Sequence, residues 1–373
     1  MKLLILLNFI SISCLAQING IYVSDAGNFN KPPWHVLRYY EDGSESQIYI
    51  NEFLNWPQDI LFLEGDQEVM ISNLGSGCIN IYDINNGRFL REFACGIGGP
   101  TRMAVGPDGF LYVLQWTGPG KVLRYDYEGR LIDEFTSIPV PQAIGIAWDD
   151  EDNLYVSSYS QDKVYKFDTA GTFLHNFIDS NLAGPTNIWF DEDGDLLVSD
   201  YDGTAVKRFD EDGVYLGDFL EGLSKSEGYL QLENGDYLIG NGATSSIRRF
   251  SADGTPLGDF NLEGNVELFN PNAIAIREEY NHNMLYDQST GQLFVAYSMP
   301  DLKELHILGP LSNQVESLTL HNSAGEVLWQ KDFSPSVEIN ELPAGTYYIT
   351  CKLESGNTST YRFTRTNPNP YQR

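Results

Sequence analysis

The side chains of this chain that could do chemistry are aromatic rings, amides and carboxylates rather than histidines. Asp25 and Asn28, Gln58 and Asn73, Arg102, Gln115 and Trp116, Gln142, Ser158 and Tyr159, Asn187, Asp200 and Tyr201, Asn241 and Asn272 fall in two kinds of loop that alternate along the chain. Aromatic faces give contact area and amides give direction, so such a set suits stacking on, and hydrogen bonding to, a sugar or a peptide. The ligand-binding residues expected are Trp116, Tyr159, Tyr201, Asn187, Asp200, Asn241, Asn272, Asp25 and Gln142. The alternative is that these polar groups only hydrate and hold the loops that carry them. Asp25, Asp200, Asn187, Asn241 and Asn272 could also ligate a hard cation such as calcium. The five histidines, His35, His175, His282, His306 and His321, do not converge in the sequence pattern. Neither a histidine metal centre nor a Ser-His-Asp relay is therefore expected, and no catalytic residue is assigned. The GIGG stretch at 96–99 is too short for a phosphate loop.

These loops belong to a unit that repeats. A stretch built like GPTNIWFDEDGDLLVSDYDGTAVKRFDEDGVYLGDF returns about every forty residues, marked by Pro57, Pro100, Pro141, Pro185 and, two periods on, Pro271. Each copy reads as four short strands divided by turns, as in TNIWF, DLLVSD, AVKRF and VYLGDF. Five copies are complete, the fifth opening without proline around Glu227 and Gly228. A sixth is split: IYVSDAG and HVLRYYEDGSESQIYI supply its last three strands, and NPNAIAI at 270–276 supplies its first. The fold class expected is all-β: a six-bladed β-propeller closed by pairing of N- and C-terminal strands, plus a small C-terminal β-sandwich. Strand alternation then puts the two loop classes on one face, around the central channel. The recurrent Asp-Gly turns are expected to be ordinary turns, since Asp bonds its own backbone and none fits the full calcium-loop pattern.

The chain has 52 acidic and 23 basic residues, a net charge of -29, with 42% hydrophobic and 13% aromatic residues. That is apolar material enough for a core, so the charge lies on the surface, where it repels nucleic acid and anionic membrane and attracts cations. The opening MKLLILLNFISISCLAQ reads as a secretory signal over 1–16 cut after Ala16, the alternative being a lipoprotein acylated at Cys14. No later stretch reaches the roughly 18 apolar residues of a membrane-spanning helix. Export permits disulfides, and Cys78 and Cys95 flank one predicted hairpin, so a bridge between them is expected, the alternative being two small buried thiols. Cys351 has no assigned role.

The pattern of proline, apolar strand, D-x-D-G turn, LYVSD and V-x-[RK]-[FY]-D, clearest in GPDGFLYVLQWTGPGKVLRYDYEG and DEDGDLLVSDYDGTAVKRFDEDG, resembles the NHL-type six-bladed propellers over 18–277. Rings of this kind include gluconolactonase-like and virginiamycin B lyase-like enzymes and many proteins that only bind. The lyase resemblance implies a channel histidine, which is not found here. The lactonase resemblance implies a divalent metal held by Glu, Asn and Asp, which Asn187 and Asp200 match loosely. After a linker at 278–284, residues 285–366 resemble the C-terminal β-sandwich that sorts cargo to the type IX secretion system. The resemblance is carried by Leu342, Pro343, Gly345 and Tyr347 in LPAGTYY, although Asp287, Gln288 and Ser289 depart from the usual Pro-Asn-Pro. The alternative is an immunoglobulin-like adhesion module. Together these readings imply a secreted or cell-surface binding protein whose partners are the type IX machinery and a glycan or peptide. The alternative is a divalent-metal lactonase or lyase acting at the channel.

Overall fold

The computed structural model describes residues 18–63, 67–261, 266–279, 286–287, 292–293, 295–297, 304–308, 315–334, 336–339, 342–343, 345–353 and 358–365. The expected leader over 1–16, residues 280–284 of the expected linker, and Gln288 and Ser289 lie outside these. The described residues fall into two compact units, one within Asn19–Arg277 and one within Glu278–Asn369.

The first unit is built of six four-stranded sheets. Sheet 1 orders Pro271–Glu279, Ile18–Asp25, His35–Tyr40 and Gln47–Ile50, so the latest strand of the unit lies beside the earliest. Its late strand runs to Glu279, two residues into the segment expected as linker. Sheets 2 to 6 each take four consecutive strands: Pro57–Leu63 to Phe89–Cys95, Pro100–Val105 to Leu131–Glu134, Ala143–Trp148 to Phe173–Ile178, Pro185–Phe190 to Tyr215–Glu221, and Ser226–Gln231 to Pro256–Asp259.

Second strands such as Leu111–Gln115, Leu154–Ser158, Leu196–Asp200 and Tyr237–Asn241 are buried at every residue. Their sequences are accordingly apolar on both faces, as packing of sheet upon sheet requires. Each core is shared by neighbouring sheets. Tyr22, Val36 and Ile50 of sheet 1 pack with Ile60, Val69 and Tyr82 of sheet 2, and Ile21, Leu37 and Tyr39 of sheet 1 pack with Leu238 and Ile247 of sheet 6.

The turn joining third and fourth strands repeats one device. Asp126, Asp168 and Asp210 each accept, at Oδ1, the backbone N–H groups two and four residues on. These carboxylates are turn formers. The glycine that follows is needed where the turn meets its neighbour: Gly213 has φ +77°, and a Cβ there would fall 2.1 Å from the Phe177 carbonyl oxygen of the preceding sheet. Gly43 of sheet 1 meets the Phe260 carbonyl, beyond the last strand of sheet 6, in the same way, at 1.9 Å. Nearer the centre, hydroxyls tie sheet to sheet. Ser72 Oγ donates to Thr101 O, Thr101 Oγ1 to Ala143 O, Ser157 Oγ to Thr186 O, and Thr186 Oγ1 to Ser226 O.

Cys78 and Cys95 stand directly opposite across the outer strands of sheet 2, with Cα atoms 4.1 Å apart, and are joined by a disulfide.

In the second unit, Val327–Asp332, Val315–Asn322, Gly345–Leu353 and Thr358–Arg365 form a four-stranded sheet in that order. Its core gathers Val315, Leu318, Leu320, Val337, Ile339, Tyr347, Ile349, Cys351 and Leu353. Cys351 is thus a buried apolar filler, and burial pushes its thiol up to about 12. Tyr347 donates its hydroxyl to the Pro343 carbonyl at 2.8 Å, so the LPAGTYY turn is fastened to its own strand.

Candidate functional site

The site is assembled from equivalent positions of the sheets of the first unit. The second residues of five innermost strands, Gln58, Ile144, Thr186, Glu227 and Asn272, form the floor of a pocket of about 200 Å³. The residues directly after the second strands, Leu74, Trp116, Tyr159 and Tyr201, form its wall. Phe29 and Trp56 complete it from loops. Trp116, Tyr159 and Tyr201 make a continuous arc, with ring centroids 5.4 Å and 5.9 Å apart, and Phe29 meets Trp56 edge to face at 5.6 Å. Phe29 and Trp56 both have left-handed backbone, φ +58° and +54°, a conformation that bulky residues adopt only at a cost of about 1–3 kcal/mol.

Beneath the floor, groups from the second and third residues of the innermost strands converge on one guanidinium, that of Arg102. Arg102 donates from Nε to Asn187 Oδ1 at 2.8 Å, from Nη1 to the Gln58 carbonyl at 2.6 Å, and from Nη2 to Glu227 Oε1 at 3.1 Å and the Asn272 carbonyl at 2.5 Å. One side chain of sheet 3 thereby binds sheets 1, 2, 5 and 6. Asn187 also donates from Nδ2 to the Glu227 carbonyl. The Arg102 and Glu227 side chains are 6% and 7% exposed, so the ion pair is dry. Asp59, the third residue of its own strand, accepts the Met103 and Ile60 amides at 2.7 and 3.0 Å. Burial raises its carboxyl to about 6 against the opposing pull of Arg102. Burial likewise raises Glu227, again opposed by Arg102. The wall phenols stay protonated: burial and the bond to Asp202 lift Tyr159 to about 12, and burial with the charge of Glu227 lifts Tyr201 further.

Of the residues expected at the ligand, Trp116, Tyr159, Tyr201 and Asn272 line the pocket, and Asn187 lies below it in the Arg102 network. Asp25, Asp200 and Asn241 are engaged elsewhere. Each ends a second strand, and each turns its side chain back to hold the loop before an innermost strand. Asp25 accepts the Phe269 and Asn270 amides at 3.0 and 2.8 Å; Asp200 accepts the Ala183 amide at 2.5 Å and pairs with Lys207 at 2.8 Å; Asn241 accepts the Ser224 amide at 2.7 Å. Asn73, Gln115 and Ser158 hold the corresponding places, bonding Asn55 N, Ile97 O and Pro141 O. These six are backbone clasps. Gln142 is half-buried with φ +49° and gives its carbonyl to the Tyr159 amide, outside the pocket lining.

A central divalent cation does not fit this arrangement. Asn187 and Glu227 do converge, but on the Arg102 guanidinium, which fills the position with a fixed positive charge. Asp25, Asp200 and Asn241 have spent their oxygens on amides and Lys207. Sequence reasoning missed Glu227, Phe29 and Trp56 as pocket residues and Arg102 as the hub. The proline position of that copy is held by Ser226, so the missing proline marked the residue before Glu227 and not Glu227 itself.

No family model matches the sequence, and no curated protein matches it. Solved structures do. A protein of unknown function from Bacteroides caccae matches at 17% identity and a TM-score of 0.55, over 71% of this chain and 100% of that one. A chain of the nidogen–laminin complex matches at 15% identity and a TM-score of 0.56, over 69% and 98%. A structure solved as a gluconolactonase candidate matches at 15% and 0.50, over 77% and 94%. At such identities the likeness establishes the fold alone, a β-propeller.

Proposed function

We propose that this chain is an exported six-bladed propeller of the NHL type, a ring closed through the pairing of Pro271–Glu279 with Ile18–Asp25, that binds a small ligand at its channel mouth without transforming it. The observation that carries this reading is the division of labour at the centre. Aromatic walls are left open to a pocket, while the polar groups expected to do chemistry, the Asn272 side chain apart, are bonded to one another through Arg102 or to backbone. A pocket of about 200 Å³ suits one sugar ring or one peptide side chain. In this reading residues 1–16 direct export, and residues 285–366 are the type IX sorting domain, with Leu342, Pro343, Gly345 and Tyr347 as its turn.

The test is a glycan and peptide array probed with the full chain and with Trp116→Ala/Tyr201→Ala. Loss of captured ligand in the double variant, with an unchanged circular dichroism spectrum, supports the site, and undiminished capture refutes it. Export is tested separately: removing 285–366 should leave the protein in the periplasm of a type IX-competent host.

A further inference from the structure

The centre of the propeller holds two carboxylates and one guanidinium. Glu227 gives Oε1 to Arg102, and Asp59 lies close enough for its charge to bear on both Arg102 and Glu227. Near the pocket rim Lys207 is paired with Asp200 and Lys225 with Asp202, so neither ammonium is free to balance the centre. With both carboxylates ionised the centre would be one positive charge short among the described residues, and burial raises both carboxyls, so a cation placed there would favour their charged forms. The floor also has an acceptor to spare. Asn272 is 1% exposed and lines the pocket, yet its Oδ1 has no hydrogen-bond partner. Above the floor, Trp116, Tyr159 and Tyr201 line the pocket with aromatic rings, a kind of wall that attracts cations. The behaviour is visible at the rim, where the Lys225 ammonium rests 4.7 Å from the centroid of the Tyr201 ring.

We propose that the pocket binds a primary ammonium group, its N–H donors directed to Glu227 and Asn272 and its carbon skeleton held against Trp116, Tyr159 and Tyr201. This rests on the pocket being the ligand site and names the class of ligand it takes. A quaternary ammonium would satisfy the rings but has no N–H for Asn272, and a neutral isostere would leave the charge at the centre unbalanced. The amine can come from an amino sugar or from an alkylamine such as a lysine side chain.

The experiment is tryptophan fluorescence titration of the full chain with n-butylammonium and glucosamine, alongside n-butanol, N-acetylglucosamine and tetramethylammonium. Either amine should bind at least tenfold more tightly than its neutral counterpart, and n-butylammonium more tightly than tetramethylammonium. Binding of glucosamine alone assigns the amino-sugar source, and binding of n-butylammonium alone the side-chain source. Asn272→Ala, whose lost oxygen bonds nothing in the protein, should keep the folded spectrum and lose most of the preference for amine over neutral probe. Neutral probes binding as tightly as amines would overturn the inference while leaving the pocket as a ligand site. Tetramethylammonium equalling n-butylammonium would overturn the hydrogen-bonded amine. A pocket that responds to no probe, charged or neutral, would overturn both the inference and the reading beneath it.

Discussion

Arg102 Nε lies 2.8 Å from Asn187 Oδ1, across 85 residues of sequence, and the same guanidinium reaches Glu227 a further 40 residues along the chain from Asn187. The two contacts make Arg102 the common partner of sheets 3, 5 and 6, so its removal should be felt well beyond its own strand.

Arg102→Met should cost about 3–5 kcal/mol, because it leaves Glu227 buried with no counter-charge. Glu227→Gln in the same chain should recover part of that loss. Urea denaturation of the wild type, both single variants and the double variant measures the coupling. Simple addition of the two single losses would mean that the residues do not act as a pair.

Asp59 has its carboxyl raised by burial to about 6, so the folded chain holds this proton more tightly than the unfolded chain does. The sign follows: the contribution of Asp59 to stability is greatest below the unfolded value near 4 and declines as pH rises through about 6. The difference in Tm between wild type and Asp59→Asn should therefore shrink by a few degrees, or change sign, between pH 4 and pH 7. A difference independent of pH would contradict the assignment.

Asp200→Ala and Trp116→Ala should separate scaffold from site. The first strips the buried carboxylate from Lys207 and the Ala183 amide and should cost about 3 kcal/mol. The second removes a half-exposed ring and should change stability by less than about 1 kcal/mol while weakening ligand capture. Chemical denaturation of the two variants, read beside array binding, checks both halves.

The disulfide between Cys78 and Cys95 closes a loop with a sequence separation of 17. On the chain-entropy account Cys78→Ser/Cys95→Ser should cost about 3 kcal/mol. Thermal denaturation should register the loss, and a Tm within one degree of the wild type would set that account aside.

The repeat made most of the first unit legible, because each copy carries its own strand periodicity and turn chemistry. Pairing of 270–276 with the opening strand could be read from the missing first strand of the split copy. The wall residues Trp116, Tyr159 and Tyr201 were legible too, since each follows a second strand of fixed form. Asp25, Asp200 and Asn241 misled for a physical reason. A polar residue ending a strand can face the cavity or curl back onto the loop, and the sequence is the same in both cases. Arg102 as a hub was hidden because two of its partners are main-chain carbonyls, those of Gln58 and Asn272, which carry no residue signature. Phe29 and Trp56 reach the pocket from left-handed positions outside any strand period.

Asp25 grips amides 244 and 245 residues away, whereas sheets 2 to 6 each draw their four strands from one short run of chain. The order of synthesis therefore matters. Five sheets can form locally as they leave the ribosome, but the strand Ile18–Asp25 must wait for Pro271–Glu279, the last of its unit, and its pairing edge stays bare meanwhile. A contact across some 245 residues thus completes sheet 1, so this seam should set the pace of folding and be the first to open under load.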